Sequence, residues 1–119
     1  MNTSTEEEAL KKVCKHLKIE FDKDDMQDWG IVNSNPARVA EFIDYYKKTE
    51  LDDETRFHVF ELIVASYNDA ILGRLAKGQV KADFLQVVKE SHDTPKLKIV
   101  RDYWKEIYNK ENFPVGKLL

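Results

Sequence analysis

The chain has 119 residues, 42% of them hydrophobic and 11% aromatic, which is enough apolar surface to build one core without disulfide or metal staples. A formal charge of −3 and a pI near 5.6 exclude the generic attraction to phosphate backbones on which basic nucleic-acid proteins rely. The single cysteine cannot close an internal disulfide, as fits a reducing compartment, and no run approaches the roughly 20 apolar residues of a membrane span. The amino-terminal stretch MNTSTEEEALKK lacks the apolar segment of a signal peptide. The expectation is a cytoplasmic protein with no membrane partner and no cofactor.

Residues 1 to 4 are expected to fray. Ser4 or Thr5 can cap a first helix, with Glu6, Glu7 and Glu8 at its positive end. Leu10, Val13, Cys14 and Leu17 follow the i, i+3, i+4, i+7 spacing of a buried face, and Lys11, Lys12, Lys15 and Lys18 fill the wet one. Cys14 reads as a small core residue, because neighbouring lysines alone do not make a reactive thiol.

Residues 19 to 35, IEFDKDDMQDWGIVNSN, are the least regular part. Asp22, Asp24, Asp25 and Asp28 resemble a calcium loop at first glance. A loop starting at Asp22 would need an oxygen ligand, Gly and Glu where this chain has Met26, Gln27 and Asn33. A solvated acidic turn fits better. Trp29-Gly30-Ile31-Val32 reads as an apolar plug beneath the helices, with Gly30 permitting a turn.

Asn35-Pro36 is a helix start, since Asn caps and Pro at the first position loses no hydrogen bond. Val39, Phe42, Ile43 and Tyr46 form the buried stripe of that helix, while Arg38, Glu41, Asp44, Lys47 and Lys48 face water. Tyr45 falls off the stripe, so it either covers an edge or contacts a partner. A short turn at 49 to 53 makes a helical hairpin with the next element.

That element is the organising one. FHVFELIVASYNDAILGRL, residues 57 to 75, has no Pro and is apolar on most of its circumference, the mark of a helix covered by several neighbours. Phe57, Phe60, Val64, Tyr67 and Ile71 form its main stripe. Asp52 or Asp53 can cap it, Ser66 and Gly73 can let another helix approach, and Gly78 can supply its left-handed end. Val80, Phe84, Leu85, Val87 and Val88 then predict a shorter helix over 81 to 90, with a strand as the alternative. Thr94-Pro95 starts a last helix bearing Leu97, Val100, Trp104, Ile107 and Tyr108. Pro114 ends it, and VGKLL either docks or hangs free. The expected fold is all-α: a compact bundle of about five to six helices around a central helix at 53–77, with residues 1–119 as a single helical domain.

No complete catalytic motif is present. Four widely spaced glycines build no phosphate loop or dinucleotide fingerprint. Glu61 and Asp69 stand about 12 Å apart along a helix axis, too far for most paired-carboxylate chemistry. Glu54, His58 and Glu61 share one helical face and are the best metal constellation available, yet no second helix offers a Glu-x-x-His partner. His16 and His92 stand alone. Residues 101 to 110, RDYWKEIYNK, interleave aromatic and basic residues as base-stacking faces do, but acidic residues dilute the charge and helical spacing turns Trp104 and Tyr108 inward. The sequence therefore reads as a non-enzymatic protein that does not bind nucleic acid.

The acidic residues cluster at 22 to 28 and at 50 to 54. Together they would form a negative patch that speeds encounter with a basic partner, with Trp29, Tyr45 and Tyr46 as aromatic anchors. The contact residues expected are Asp24, Asp25, Asp28, Trp29, Tyr45, Asp52, Asp53 and Glu54.

DWGIVNSNPARVAEFIDYYKK, residues 28 to 48, and FELIVASYNDAI, residues 60 to 71, resemble segments of small helical bacterial immunity proteins. These are antidotes to polymorphic or contact-dependent growth-inhibition toxins. The likeness covers about a third of the chain and lies in a Trp-led turn, an Asn-Pro helix start and a helix with a Leu-Ile-x-Ala-Ser core. It implies a cytosolic protein that binds and blocks one toxin domain, with the acidic patch suited to a basic nuclease-type toxin. The alternative is a small helical adaptor or regulatory module with no toxin partner.

Overall fold

A computed structural model of the chain describes the backbone of residues 5–48, 50–111 and 113–119, and their side chains apart from those of 5, 48 and 108–111. The expected fraying of 1 to 4, the Ser4 or Thr5 cap and the Tyr108 side chain lie outside the described residues. Among the described residues there are six α-helices and no strand: α1 (Thr5–Leu17), α2 (Trp29–Val32), α3 (Val39–Lys48), α4 (Asp53–Leu72), α5 (Gln79–Ser91) and α6 (Lys98–Glu111), with short 3-10 segments between them. No described helix is long and apolar enough to cross a membrane.

α4 is the axis. Val59, Phe60, Leu62, Ile63, Val64, Ala65, Tyr67 and Ala70 lie on every side of it and are all buried. A helix without a wet face needs covering all round, and α1, α2, α3, α6 and the carboxyl-terminal turn all pack on it. The segment starts where its caps dictate: Asp52 Oδ1 accepts the Thr55 N–H at 2.8 Å. It ends at Leu72, five residues before the expected 77. There the Leu75 N–H bonds Ala70 O at 2.7 Å and the Arg74 N–H bonds Ile71 O at 3.1 Å, the two bonds of a Schellman ending. Arg74 itself takes the left-handed position, with φ of 62°. Gly78, expected to end α4, is also left-handed (φ 64°), but stands at the amino end of α5. Gly73 sits one residue too early to serve and is exposed, while Ser66 is used as an acceptor for the Asn35 N–H at 3.0 Å.

Asn35 caps as expected, accepting the Ala37 N–H at 3.0 Å, and Pro36–Arg38 leads into α3. α5 is a helix rather than a strand; its buried Phe84 stacks on Tyr67 with centroids 3.8 Å apart. Pro95–Leu97 leads into α6; Leu97 of that turn and Val100 and Trp104 of α6 are buried. Arg101, assigned to a basic face, is buried instead and donates to Ser91 O at 2.8 Å. The tail docks: Val115 is buried and its N–H donates to Asn68 Oδ1 at 3.2 Å. Cys14 lies in the core, and burial pushes its thiol pKa up, as an inert thiol requires.

Candidate partner-binding site

The eight expected contact residues differ in burial. Trp29 is 0% exposed and Tyr45 5%, so neither reaches a partner. Trp29 spends its large apolar area in the core, and Tyr45 stacks on His16 with centroids 4.2 Å apart, closing the seam between α3 and α1. Asp24, Asp28, Asp52 and Asp53 are exposed, while Asp25 and Glu54 are partly buried. Asp52 is occupied as the α4 cap, and the Thr55 N–H holds its carboxyl below the usual carboxylate range. Glu54 is occupied too. Its Oε1 accepts from Lys96 Nζ at 2.7 Å and its Oε2 from His58 Nε2 at 2.8 Å.

Glu54, His58 and Glu61 do not converge as a metal site. Glu61 turns away to accept the Gly30 N–H at 3.2 Å, and Glu6 of α1 takes its place. The ligand atoms of Glu6, Glu54 and His58 lie within 4.8 Å of one another. The surroundings oppose a metal there. His58 is buried and its Nδ1 has no hydrogen-bond partner among the described residues. A metal on Nε2 would leave Nδ1 carrying a buried proton with no acceptor, against the usual support of a histidine ligand. The ammonium of Lys96 already neutralises Glu54. The tautomer with its proton on Nε2, donating to Glu54, satisfies the group better. Burial, opposed by Glu54, holds the His58 pKa below its ordinary value, so the ring is neutral.

A groove lies beside this cluster. It has a volume of about 220 Å³ and runs between α2, α4 and α6. Its apolar walls include Ile31, Phe57, Ile99, Tyr103 and Trp104, and its polar groups are Gln27, Asp28 and Glu61. Tyr103 meets Trp104 nearly at right angles (87°), with centroids 6.0 Å apart, so the two rings make a corner. Three large apolar side chains of the groove stand out into solvent: Ile31 is 39% exposed, Tyr103 49% and Ile99 62%. Val32, next in chain, is 53% exposed.

Glu61 is the unusual group here. It is partly buried, and burial first, then the Asp28 and Glu6 charges, raise its pKa to about 7 against the one lowering contribution of the Gly30 N–H. Gly30 makes this closeness possible. A Cβ there would meet Glu61 Cγ at 2.7 Å and its backbone carbonyl carbon at 3.0 Å. Gly30 is therefore needed for close approach inside α2, and not for the turn expected of it.

Sequence reasoning placed Asp28 at the site and missed Ile31, Ile99 and Tyr103. The signal was available for two of them. Ile99 and Tyr103 are four apart, hence on one face, and both fall out of phase with the Leu97, Val100, Trp104 stripe. An apolar pair on the wrong face of an amphipathic helix has no core to serve. No protein-family profile, curated protein or solved structure matches this chain.

Proposed function

We propose that this chain is a non-catalytic binding protein that docks one protein partner across the groove between α2 and α6. The observation that carries the reading is the collection of exposed Ile31, Ile99 and Tyr103 around one groove. Scattered single apolar residues mean little, but a contiguous patch rimmed by polar groups marks an interaction site. Its acidic rim, Asp28 and Glu61, selects a partner with a basic docking face. The non-catalytic part rests on how the reactive groups are employed: His58 is committed to Glu54, and Cys14 lies in the core.

The likeness of residues 28–48 and 60–71 to immunity proteins favours a toxin domain as that partner, with neutralisation in the cytosol as the biological role. The test is functional. A toxin domain encoded directly beside this gene is expressed alone and then with this protein. Rescue of growth by the wild-type chain, lost on Ile99→Asp while the helical circular dichroism is kept, is the expected result. Absence of any adjacent toxin gene, or rescue unaffected by Ile99→Asp and Tyr103→Ala together, defeats the reading.

A further inference from the structure

We propose that the groove takes an organic cation, and specifically the guanidinium of a partner arginine seated between Glu61 and the Tyr103–Trp104 corner. This deepens the reading of the groove as a docking site and rests on it for the identity of the arginine's owner. Among the described residues Glu61 lacks a cationic partner: its hydrogen bond is the one from Gly30 to Oε1, and no Lys, Arg or His forms an ion pair with it. The nearby cation, Lys96, is turned to Glu54, with its ammonium over the Phe57 ring at 5.4 Å. A carboxyl group taken partly out of water, beside the like charges of Asp28 and Glu6, is left with one neutral donor. Uncompensated desolvation of a charge is among the costlier things a fold can tolerate, and a cation in the groove would remove it.

The walls decide which cation. Aromatic faces attract cations through the ring quadrupole, and guanidinium more often than ammonium. Guanidinium is planar and weakly hydrated, so it loses less on entering a half-dry cleft, and it can lie on a ring while its edge donates to a carboxylate. Ammonium is compact and strongly hydrated and suits the open rim better. The half-exposed Tyr103 ring and the Glu61 carboxyl line the same groove, with the Trp104 ring behind Tyr103, and among the described residues no protein donor reaches Oε2 of Glu61, so a flat face and an acceptor share one cleft.

The experiment needs no partner. Full-length protein labelled with nitrogen-15 is titrated with N-acetyl-arginine amide, N-acetyl-lysine amide and N-acetyl-citrulline amide, the last a neutral isostere of arginine. The Gly30 amide, which reports on Glu61, and the Trp104 indole are followed by NMR. Both should shift with arginine, with an affinity about tenfold above that for citrulline, since a charge-assisted hydrogen bond is worth on the order of one decade, and lysine, whose strongly hydrated ammonium gains less from a ring face, should bind more weakly than arginine. Glu61→Gln should cost about tenfold of the arginine affinity, and Asp28→Asn, an exposed change that leaves the core untouched, should cost a smaller factor of about two to three. Equal binding of citrulline and arginine, lysine binding as tight as arginine, or shifts remote from Gly30 and Trp104 each overturn the assignment. Arginine binding, combined with a failed growth-rescue test, would sink the docking function and leave the site standing. A partner that docks while arginine leaves the Gly30 amide unmoved would sink the site alone.

Discussion

The groove between α2 and α6 and the pocket beyond the carboxyl end of α4 are similar in size, about 220 and 300 Å³, and opposite in charge. The second is lined by Arg74, Lys81 and Lys117 around Tyr67, Ile71 and Leu118. By inspection it is the more obviously charged of the two, and it has three cations to the groove's two carboxyls. Yet Arg74, Lys81 and Lys117 are all exposed. A solvated cation costs the fold almost nothing and calls for no counterion. Arg74 in addition complements the negative end of α4. Glu61 is in the opposite position, a single carboxyl that burial has pushed to about 7. The comparison teaches that charge count is a poor guide to a site, and that the desolvation of one unpaired group is a better one.

The largest expected effect contrasts a glycine from each end. Gly30→Ala puts a methyl group against the Glu61 backbone. Backbone cannot swing aside, so α2 must lift off α4, and overpacking of this kind costs on the order of 3 kcal/mol. Gly78→Ala meets nothing within 4 Å and pays only for its backbone, φ 64° with ψ −137°, on the order of 2 kcal/mol. Urea unfolding of the two variants measures both. Equal and small losses would mean that the two helices do not touch at Gly30, and the groove would lose its floor.

Next in size is a pH effect that belongs to the groove alone. Glu61 has its pKa raised from 4.5 to about 7 on folding. Below 4.5 both states hold the proton and the group's contribution is fully present. Between 4.5 and about 7 the unfolded chain has lost the proton and the folded chain keeps it, so stability falls as pH rises through that window. Discounted for partial exposure, the loss is about 2 kcal/mol by pH 8. Glu61→Gln removes it, so the variant should match wild type at pH 4.5 and exceed it at pH 8. The groups facing Glu61, namely Asp28 and Glu6, and the depressed His58 nearby are present in both proteins. His58 acts with opposite sign, losing stability as pH falls below 6.5, and largely cancels in the difference. Parallel stability curves for the two proteins would show Glu61 to be fully solvated, and the contrast between the two ends would vanish.

Much of the frame behind this contrast was legible in residues alone. Caps such as Asp52 and Asn35 act locally, and the all-round apolarity of residues 57 to 75 leaves a helix no option but the centre. Side chains whose fate depends on a neighbour far along the chain were not legible. Trp29 and Tyr45 looked like anchors because aromatic residues amid acids often are; they are buried because α4 and α1 happen to lie against them. Glu61 read as one of three polar residues, with Glu54 and His58, sharing a helical face. Its burial follows from Gly30, 31 residues earlier, whose missing side chain lets α2 come down beside it. Arg74 shows the same limit at short range, since the sequence offered two glycines nearby and the ladder of hydrogen bonds chose neither for the left-handed position.

The smallest expected effect tests the far pocket through that last residue. Lys18 and Arg74 both hold left-handed backbone, with φ of 58° and 62°, and both follow a helix end closed by a bond from the next amide to the carbonyl five residues back, Ile19 to Cys14 and Leu75 to Ala70. Glycine removes the Cβ strain at either position and adds unfolded-state freedom, for a net gain of about 0.5 to 1 kcal/mol. Lys18 lines neither the groove nor the far pocket, so Lys18→Gly calibrates the backbone gain. If Arg74→Gly gains as much, measured as the rise in melting temperature under the same conditions, then the Arg74 cation contributes no more to the fold than the Lys18 cation at the matching end of α1, as its solvation requires. If Arg74→Gly loses stability where Lys18→Gly gains it, that guanidinium is engaged by the protein after all. The cationic pocket would then be a built structure on the same footing as the groove, and the distinction drawn between a solvated and a desolvated charge would no longer separate the two ends of α4.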